Sequence, residues 1–382
     1  MHVLRNGTVV DAEGTREADV AIEDGEIVAV GDVGRGDSET DASGRYVAPG
    51  LIDAHVHLMM DGRPDVATAQ DESAFDHAYI AAANLREAVE AGVTTVRDLG
   101  ANGSLAIDAG RAVEEGRIVG PRVLAAGENV VMTGGHGHWF GREADGPDEV
   151  RRAAREQLKR GADVVKCMAT GGVLTEGAQT GAPELTPEEL EALVDAASAK
   201  GVPTAAHAHG KEGLLNAVDA GITSIEHGTF MDREAAEAMA AEGTYWVPTA
   251  SALKNIVENP DAGIPESAMA KAEDAAEAFA SSFDHAEAAG VKVAMGTDAG
   301  TPFNYFRNIA DELAYMAEFG MSPEAALEAA TATAAELCGL DDVGYVAEGY
   351  RADLVVLEGN PAEDADAWAD PAAVFADGER VA

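Results

Sequence analysis

Ala48-Pro49-Gly50-Leu51-Ile52-Asp53-Ala54-His55-Val56-His57 decides how the rest of this chain is read. Pro49-Gly50 is a turn signal, and the apolar run Leu51 to Val56 after it reads as a short buried strand that delivers two imidazoles at its C-terminal end. Side chains alternate along a strand, so His55 and His57 share a face and can hold one metal ion together. The plain alternative is an incidental His-x-His, and the strands that follow decide between the two.

From Leu51 to about Leu340, apolar strands alternate with long Ala/Glu-rich helical segments. The strands are Val93 to Arg97, Arg122 to Ala126, Val164 to Cys167, Pro203 to His207, Ser224 to His227, Thr244 to Pro248 and Val291 to Thr297. With Leu51 to Val56 they predict an α/β chain whose residues 51–342 form a closed (β/α)8 TIM barrel, a doubly wound open sheet being the alternative. Residues 2–48 differ. They hold short alternating strands (Val3 to Arg5, Thr8 to Val10, Ala18 to Glu23, Glu26 to Val30) parted by turns such as Asn6-Gly7 and Asp24-Gly25. Ala352 to Leu357 and Ala373 to Phe375 are strands again, so residues 1–50 and 343–382 are expected to complete one small β-sandwich beside the barrel. Ser251 to Ala289 is a long insertion before the last strand, suited to a lid or to a contact in a homo-oligomer.

Composition narrows the partners. With 69 acidic against 26 basic residues the formal net charge is -43, a field that repels nucleic acid and anionic membrane surfaces and leaves a small-molecule substrate. The acids are interspersed with apolar residues at helical spacing, as in Pro187-Glu188-Glu189-Leu190-Glu191-Ala192-Leu193-Val194, so they form a solvated coat rather than a disordered tract. Together with only seven lysines, this resembles proteins of salt-loving (halophilic) microbes. No apolar run is long enough to span a bilayer, and Met1 to Val10 lacks a signal peptide's pattern. Cys167 and Cys338 give no disulfide framework, so a reducing cytoplasm is expected.

Active sites of (β/α)8 enzymes lie at the C-terminal strand ends, and most predicted ends here carry a candidate ligand. Strand one offers His55 and His57, strand four Lys166, strand five His207 and His209, strand six His227, and strand eight Asp298. His136 and His138 lie on a glycine-rich loop after strand three, whereas His2, His77 and His285 read as structural. A lysine closing an apolar strand is costly to bury as an ammonium, so its pKa should fall. The neutral amine of Lys166 could form a Schiff base, or take up carbon dioxide to become a carbamate with two metal-bridging oxygens. Four histidines and an aspartate on neighbouring strands favour the carbamate over a lysine that merely snorkels.

These residues resemble the amidohydrolase superfamily of binuclear metal-dependent hydrolases along nearly the whole chain. The resemblance is carried by Ala48 to His57, Ile225-Glu226-His227-Gly228, Gly296-Thr297-Asp298-Ala299-Gly300-Thr301-Pro302 and Ala352 to Leu357. Val165-Lys166 with Ala169-Thr170-Gly171-Gly172, and Thr133-Gly134-Gly135-His136-Gly137, resemble more narrowly the Xaa-Pro dipeptidase and imidazolonepropionase-related branch. The resemblance implies two divalent ions, with zinc expected. His55, His57 and Asp298 would bind one and His207 and His227 the other, bridged by carboxylated Lys166 and a hydroxide, with Asp298 also the general base. It implies hydrolysis of an amide bond in a dipeptide or N-acyl amino acid, with opening of a cyclic amide, or lactone or phosphotriester hydrolysis, as alternatives. His136, His138 and His209 are the candidate substrate-binding residues, although His209 shares the face of His207 and either could ligate. Two departures matter. Gly210 stands where deaminases of the superfamily carry a glutamate, and Phe230 lies where peptidase relatives often offer a tyrosine hydroxyl to a substrate carboxylate. A relative that had lost its ligands and kept a structural role would lack this full set.

Overall fold

The computed structural model describes residues 1–174, 179–260, 263–264 and 266–382. Helix ends follow local sequence rules. Pro187–Ser198 begins with proline in its first turn behind a capping box in which Thr186 and Glu189 satisfy each other's backbone N–H groups. Pro147–Arg160 has Asp148 and Glu149 in its first turn, Lys159 and Arg160 in its last, and ends on Gly161 at φ 100°.

The parallel strands fall into two sheet segments. One has three strands in the order Leu51–Val56, Val93–Asp98, Arg122–Ala125. The other has six, in the order Arg142–Glu143, Val130–Val131, Val165–Met168, Thr204–Ala208, Ser224–His227, Tyr245–Val247. The expected eighth strand, Val291 to Thr297, is not a ladder strand. Segment 291–299 instead lies between the two sheets: Ala54 N–H donates to Met295 O at 2.9 Å, Asp298 N–H to His55 O at 2.7 Å, and Ala294 N–H to Trp246 O at 2.9 Å. Its irregularity has a local cause. Asp298 is left-handed at φ 60°, and at Gly296 an added Cβ would meet Val247 at 2.4 Å and His55 at 2.9 Å, so the backbone is pressed against its neighbours. At the other junction Asp163 N–H donates to Ala125 O at 2.9 Å. The eight expected strands therefore do not form one continuous ladder, and the α/β reading holds at the level of parallel sheet segments flanked by helices.

Both chain ends do build a single β unit, but as one eight-stranded sheet rather than the expected sandwich of two. Its order is Glu379–Arg380, Ala373–Ala376, Leu354–Leu357, Tyr46–Pro49, His2–Asp11, Gly14–Glu23, Glu26–Gly31. Ser38–Asp41 and Tyr46–Pro49 both pair in parallel with the same edge of His2–Asp11, which merges the strands into one sheet. That sheet packs a core of Leu4, Val20, Ile27, Leu354 and Phe375, and Ile27 N–H on its edge strand Glu26–Gly31 reaches Tyr350 O, just before Leu354–Leu357, at 2.7 Å. Among the described residues no helix is long and apolar enough to cross a membrane.

Candidate metal centre

Strand ends place the expected side chains together. His55 lies on Leu51–Val56 with His57 one residue beyond, Lys166 on Val165–Met168, His207 on Thr204–Ala208 with His209 just after, and His227 closes Ser224–His227. Asp298 follows the irregular segment, and all seven are buried. His207, His209 and His227 offer ligand atoms within 4.8 Å of one another, and so do His55, His227 and Asp298, which makes His227 common to both groups. Asp298 Oδ1 lies 3.3 Å from His57 Nε2 and 3.4 Å from His55 Nε2. His209 therefore stands with the candidate ligands His207 and His227.

The outer nitrogens of these rings are already engaged. His55 Nδ1 donates to Glu226 Oε2 at 2.9 Å and His57 Nδ1 to the Gly100 carbonyl at 2.8 Å. Neither acceptor carries a proton to give, so Nδ1 holds the hydrogen and the Nε2 lone pair is free to face the centre. Thr249 Oγ1 donates to Pro248 O at 2.6 Å, and so accepts from His227 Nδ1 at 2.7 Å with the same consequence. His209 Nδ1 meets Thr229 Oγ1 at 2.7 Å.

Burial sets the charges. It holds His55 and His209 at a pKa of about 4, and His207 and His227 well below the ordinary imidazole value, so these rings are neutral, the form that binds metal. Burial also pulls Lys166 down to about 8, against the pull of Glu226 and Asp298. For Asp298 burial pushes the other way, but the neighbouring His55, His57 and Lys166 more than offset it and leave the carboxyl below its usual range. Glu226 follows the same pattern: burial opposes ionisation, and Arg97 and His55 bring it to about 2. Among the described residues His207 Nε2 and Asp298 Oδ1 are buried without a hydrogen-bond partner. An orphaned buried polar atom costs about 1–3 kcal/mol, and a divalent cation would satisfy both atoms, so imidazoles and a carboxylate with orphaned atoms fit a zinc-type group.

His136 stands over this cluster, with its ring centroid 4.3 Å from that of His207 and its backbone N–H held by Glu184 Oε2 at 2.9 Å. Gly172 makes room for it, since a Cβ there would lie 2.4 Å from the imidazole. That close approach gives the Gly171-Gly172 pair a physical reason. His138 is placed differently: it is exposed, its Nδ1 hydrogen-bonds the Gly135 carbonyl at 3.0 Å, and it does not line the pocket. The pocket above the cluster is walled by apolar side chains, among them Val66, Trp139, Met168, Leu253 and Ile256.

Several residues that sequence reading missed support the site. Arg97 is buried and joins Ala54 O, Ser224 Oγ and Glu226 Oε1 at 2.6, 3.3 and 3.1 Å. It sits one residue before the end of strand Val93–Asp98, a position that could have flagged it. Thr249 directly follows the predicted strand Thr244 to Pro248, a comparable signal, whereas Glu312 lies on a helix and carries none. Backbone conformation marks the same place. Among the described residues seven non-glycine residues have positive φ; Asn6, Asp24 and Asp377 belong to the composite sheet and its turns and Phe303 to the loop after Asp298, but His227 (69°), Thr249 (56°) and Asp298 (60°) ring the cluster. A left-handed threonine is strained, and such strain gathers at functional sites.

A family model described as "Amidohydrolase family" matches residues 46–381. Ochratoxinase of Aspergillus niger is 33% identical over 410 aligned residues, covering 95% of this chain and 82% of that protein. The crystal structure of a Xaa-Pro dipeptidase with methionine bound in its active site superposes with a TM-score of 0.93 at 34% identity, covering 99% of both chains. A prolidase complexed with N-methylphosphonate-L-proline gives a TM-score of 0.93 at 31% identity, covering 99% of this chain and 98% of the other.

Proposed function

The chain belongs to the amidohydrolase family and is a hydrolytic enzyme, and from that premise we propose that it cleaves the amide bond of a dipeptide or N-acyl amino acid. One observation carries the reading: two groups of ligand atoms, one of three neutral imidazoles and one of two neutral imidazoles with the Asp298 carboxylate, overlap at His227 beneath an apolar pocket. His55, His57 and Asp298 would hold one divalent ion and His207 and His227 a second, with Lys166 as a carbamate between them. Divalent ions so held lower the pKa of water and polarise a carbonyl. Asp298, whose carboxyl lies below its usual range, accepts the proton of the attacking water and returns it to the leaving nitrogen. His136, close above His207, holds the substrate carbonyl or carboxylate. His209 is a further candidate ligand beside His207, and the exposed His138 is the weaker of the proposed substrate contacts. The names of the ochratoxinase and dipeptidase relatives support amide cleavage, and Gly210 argues against deamination. The same reading assigns residues 51–342 to the hydrolase domain and 1–50 with 343–382 to an accessory one, in a salt-adapted, cytoplasmic homo-oligomer.

The test is a substrate screen of the zinc-loaded protein at molar salt against dipeptides, N-acyl amino acids and cyclic amides. Cleavage in the first two classes is expected. Turnover confined to cyclic amides, or no turnover in any class, overturns the proposal.

A further inference from the structure

We infer that helix Ala250–Val257, the first part of the insertion after strand Tyr245–Val247, is the specificity element of this site, receiving a bulky apolar group of the substrate on Leu253 and Ile256. The inference rests on the hydrolase reading and adds to it the chemical class of group the pocket selects.

Position comes first. Leu253 and Ile256 are three residues apart, so they share one helix face, and that face lines the same pocket as His136, His207 and Asp298. Val66 and Met168 line the pocket too, so a substrate group resting on this face is surrounded by hydrocarbon. An apolar wall is a poor arrangement for a polar substrate group and a favourable one for a branched or aromatic side chain, whose burial removes apolar surface from water.

The second observation is how firmly the wall is held. The first two N–H groups of the helix are held from outside it: Ala250 N–H donates to Glu312 Oε1 and Ser251 N–H to Glu312 Oε2, each at 2.7 Å. On the outer face Lys254 Nζ bonds Glu318 Oε1 at 2.9 Å and lies 5.2 Å from the centre of the Tyr315 ring. All three partners belong to helix Asp311–Glu318, which thus acts as a backing plate. The residue before the helix, Thr249, is the one that accepts from His227 Nδ1. One short run, 249–256, therefore orients a candidate metal ligand at its start and presents an apolar face to the substrate at its end. A wall fixed to the reacting centre discriminates by size, because a group that fits it is placed at the correct distance from the scissile bond. Leu253 and Ile256 are specificity residues, and Glu312 is a positioning residue that acts through the helix.

Two graded series read this out on the zinc-loaded full chain: N-acetyl amino acids with glycine, alanine, leucine or phenylalanine, and N-acylglycines of rising acyl length. Wild-type kcat/KM should climb with apolar size in at least one series. Leu253→Ala and Ile256→Ala should each lower it, mainly through KM, by about tenfold or more in the bulkiest member relative to the glycine or acetyl member. Glu312→Gln should flatten the climb, whereas a merely structural loss would depress every member alike. Leu253→Met keeps the volume and should retain the wild-type order, which covers poor folding of the alanine variants. Binding of the uncleaved acids, followed by titration calorimetry, should weaken in the alanine variants in the same size-dependent way. If the wild type cleaves no member yet binds them with this pattern, the hydrolase reading fails and the specificity assignment stands. A preference unchanged by Leu253→Ala and Ile256→Ala overturns the assignment.

Discussion

Glu226 and His55 share a buried hydrogen bond of 2.9 Å, and Arg97 fixes it from behind by holding the other carboxylate oxygen at 3.1 Å. The chain Arg97-Glu226-His55 sets which imidazole nitrogen faces the cluster. Glu226→Gln keeps the shape but can offer His55 the wrong partner, and a 10- to 100-fold loss of zinc affinity is expected, in line with outer partners of metal-bound histidines, of order 10–100-fold. Competition with a chromophoric chelator measures it, and an unchanged affinity would remove the role given to the pair. Arg97→Met leaves Glu226 buried with its charge unmatched and should destabilise the fold by about 3–5 kcal/mol in chemical denaturation.

Metal content is the next measurement. Two divalent ions per chain are expected from elemental analysis after zinc supplementation, and a ceiling of one would count against the bridged arrangement. Lys166→Ala should lose one ion and most activity. Partial recovery with propionate, a soluble carboxylate able to replace a carbamate, is the expected signature, and no recovery with any short-chain acid weakens the carbamate assignment.

Asp298→Asn tests the proton acceptor. An amide cannot take a proton at neutral pH, so turnover should fall by about 10²–10⁴-fold while far-ultraviolet circular dichroism and the thermal midpoint stay near wild type. Substantial residual turnover at the optimum pH would assign the base elsewhere.

Glu312 gives a pH dependence with a definite sign. Burial raises its pKa from 4.5 to about 7 although the hydrogen bonds from the Ala250 and Ser251 N–H groups favour ionisation. The folded state therefore binds the proton more tightly than the unfolded one. Stability from this group is complete below about pH 4.5 and is lost as pH rises through about 7, by roughly 3 kcal/mol at most. Relative to Glu312→Gln, the wild type should be more stable at pH 5 than at pH 8, read as the difference between their urea unfolding free energies. A difference independent of pH would mean that Glu312 is ionised throughout.

Salt should matter as well. A formal charge of -43 repels itself, and the Debye length shrinks from about 10 Å at 0.1 M to about 3 Å at 1 M. The unfolding midpoint of the metal-loaded protein should rise from low salt to molar potassium chloride, and a flat or falling midpoint would leave the acidic coat without this account.

Much of the candidate site is legible because its candidate ligands sit at strand ends, where an apolar run followed by a histidine is a local pattern: His55, His57, His207 and His227 all follow or close such runs. What escaped depends on tertiary approach. Glu312 and Ala250 are 62 positions apart, and nothing near either residue announces that a carboxylate will cap that helix. Likewise Val291 to Thr297 has a strand's composition, but Gly296 against His55 and the left-handed Asp298 deny it a regular ladder. Turn signals located the outer strands well. That they join as one sheet follows from two strands sharing an edge of His2–Asp11, a choice that alternation alone does not encode.

The composite sheet has a consequence for synthesis. Val47 pairs with Val356, so Tyr46–Pro49 leaves the ribosome with its partner strand about 300 residues behind it. At about 5–20 residues per second that is a wait of roughly 15–60 s, during which the nascent N-terminal hairpins present an open edge. An open edge invites pairing with other chains. Charged side chains blunt such an edge, and Glu39 and Asp41 stand on Ser38–Asp41, which pairs with the same edge of His2–Asp11 as Tyr46–Pro49.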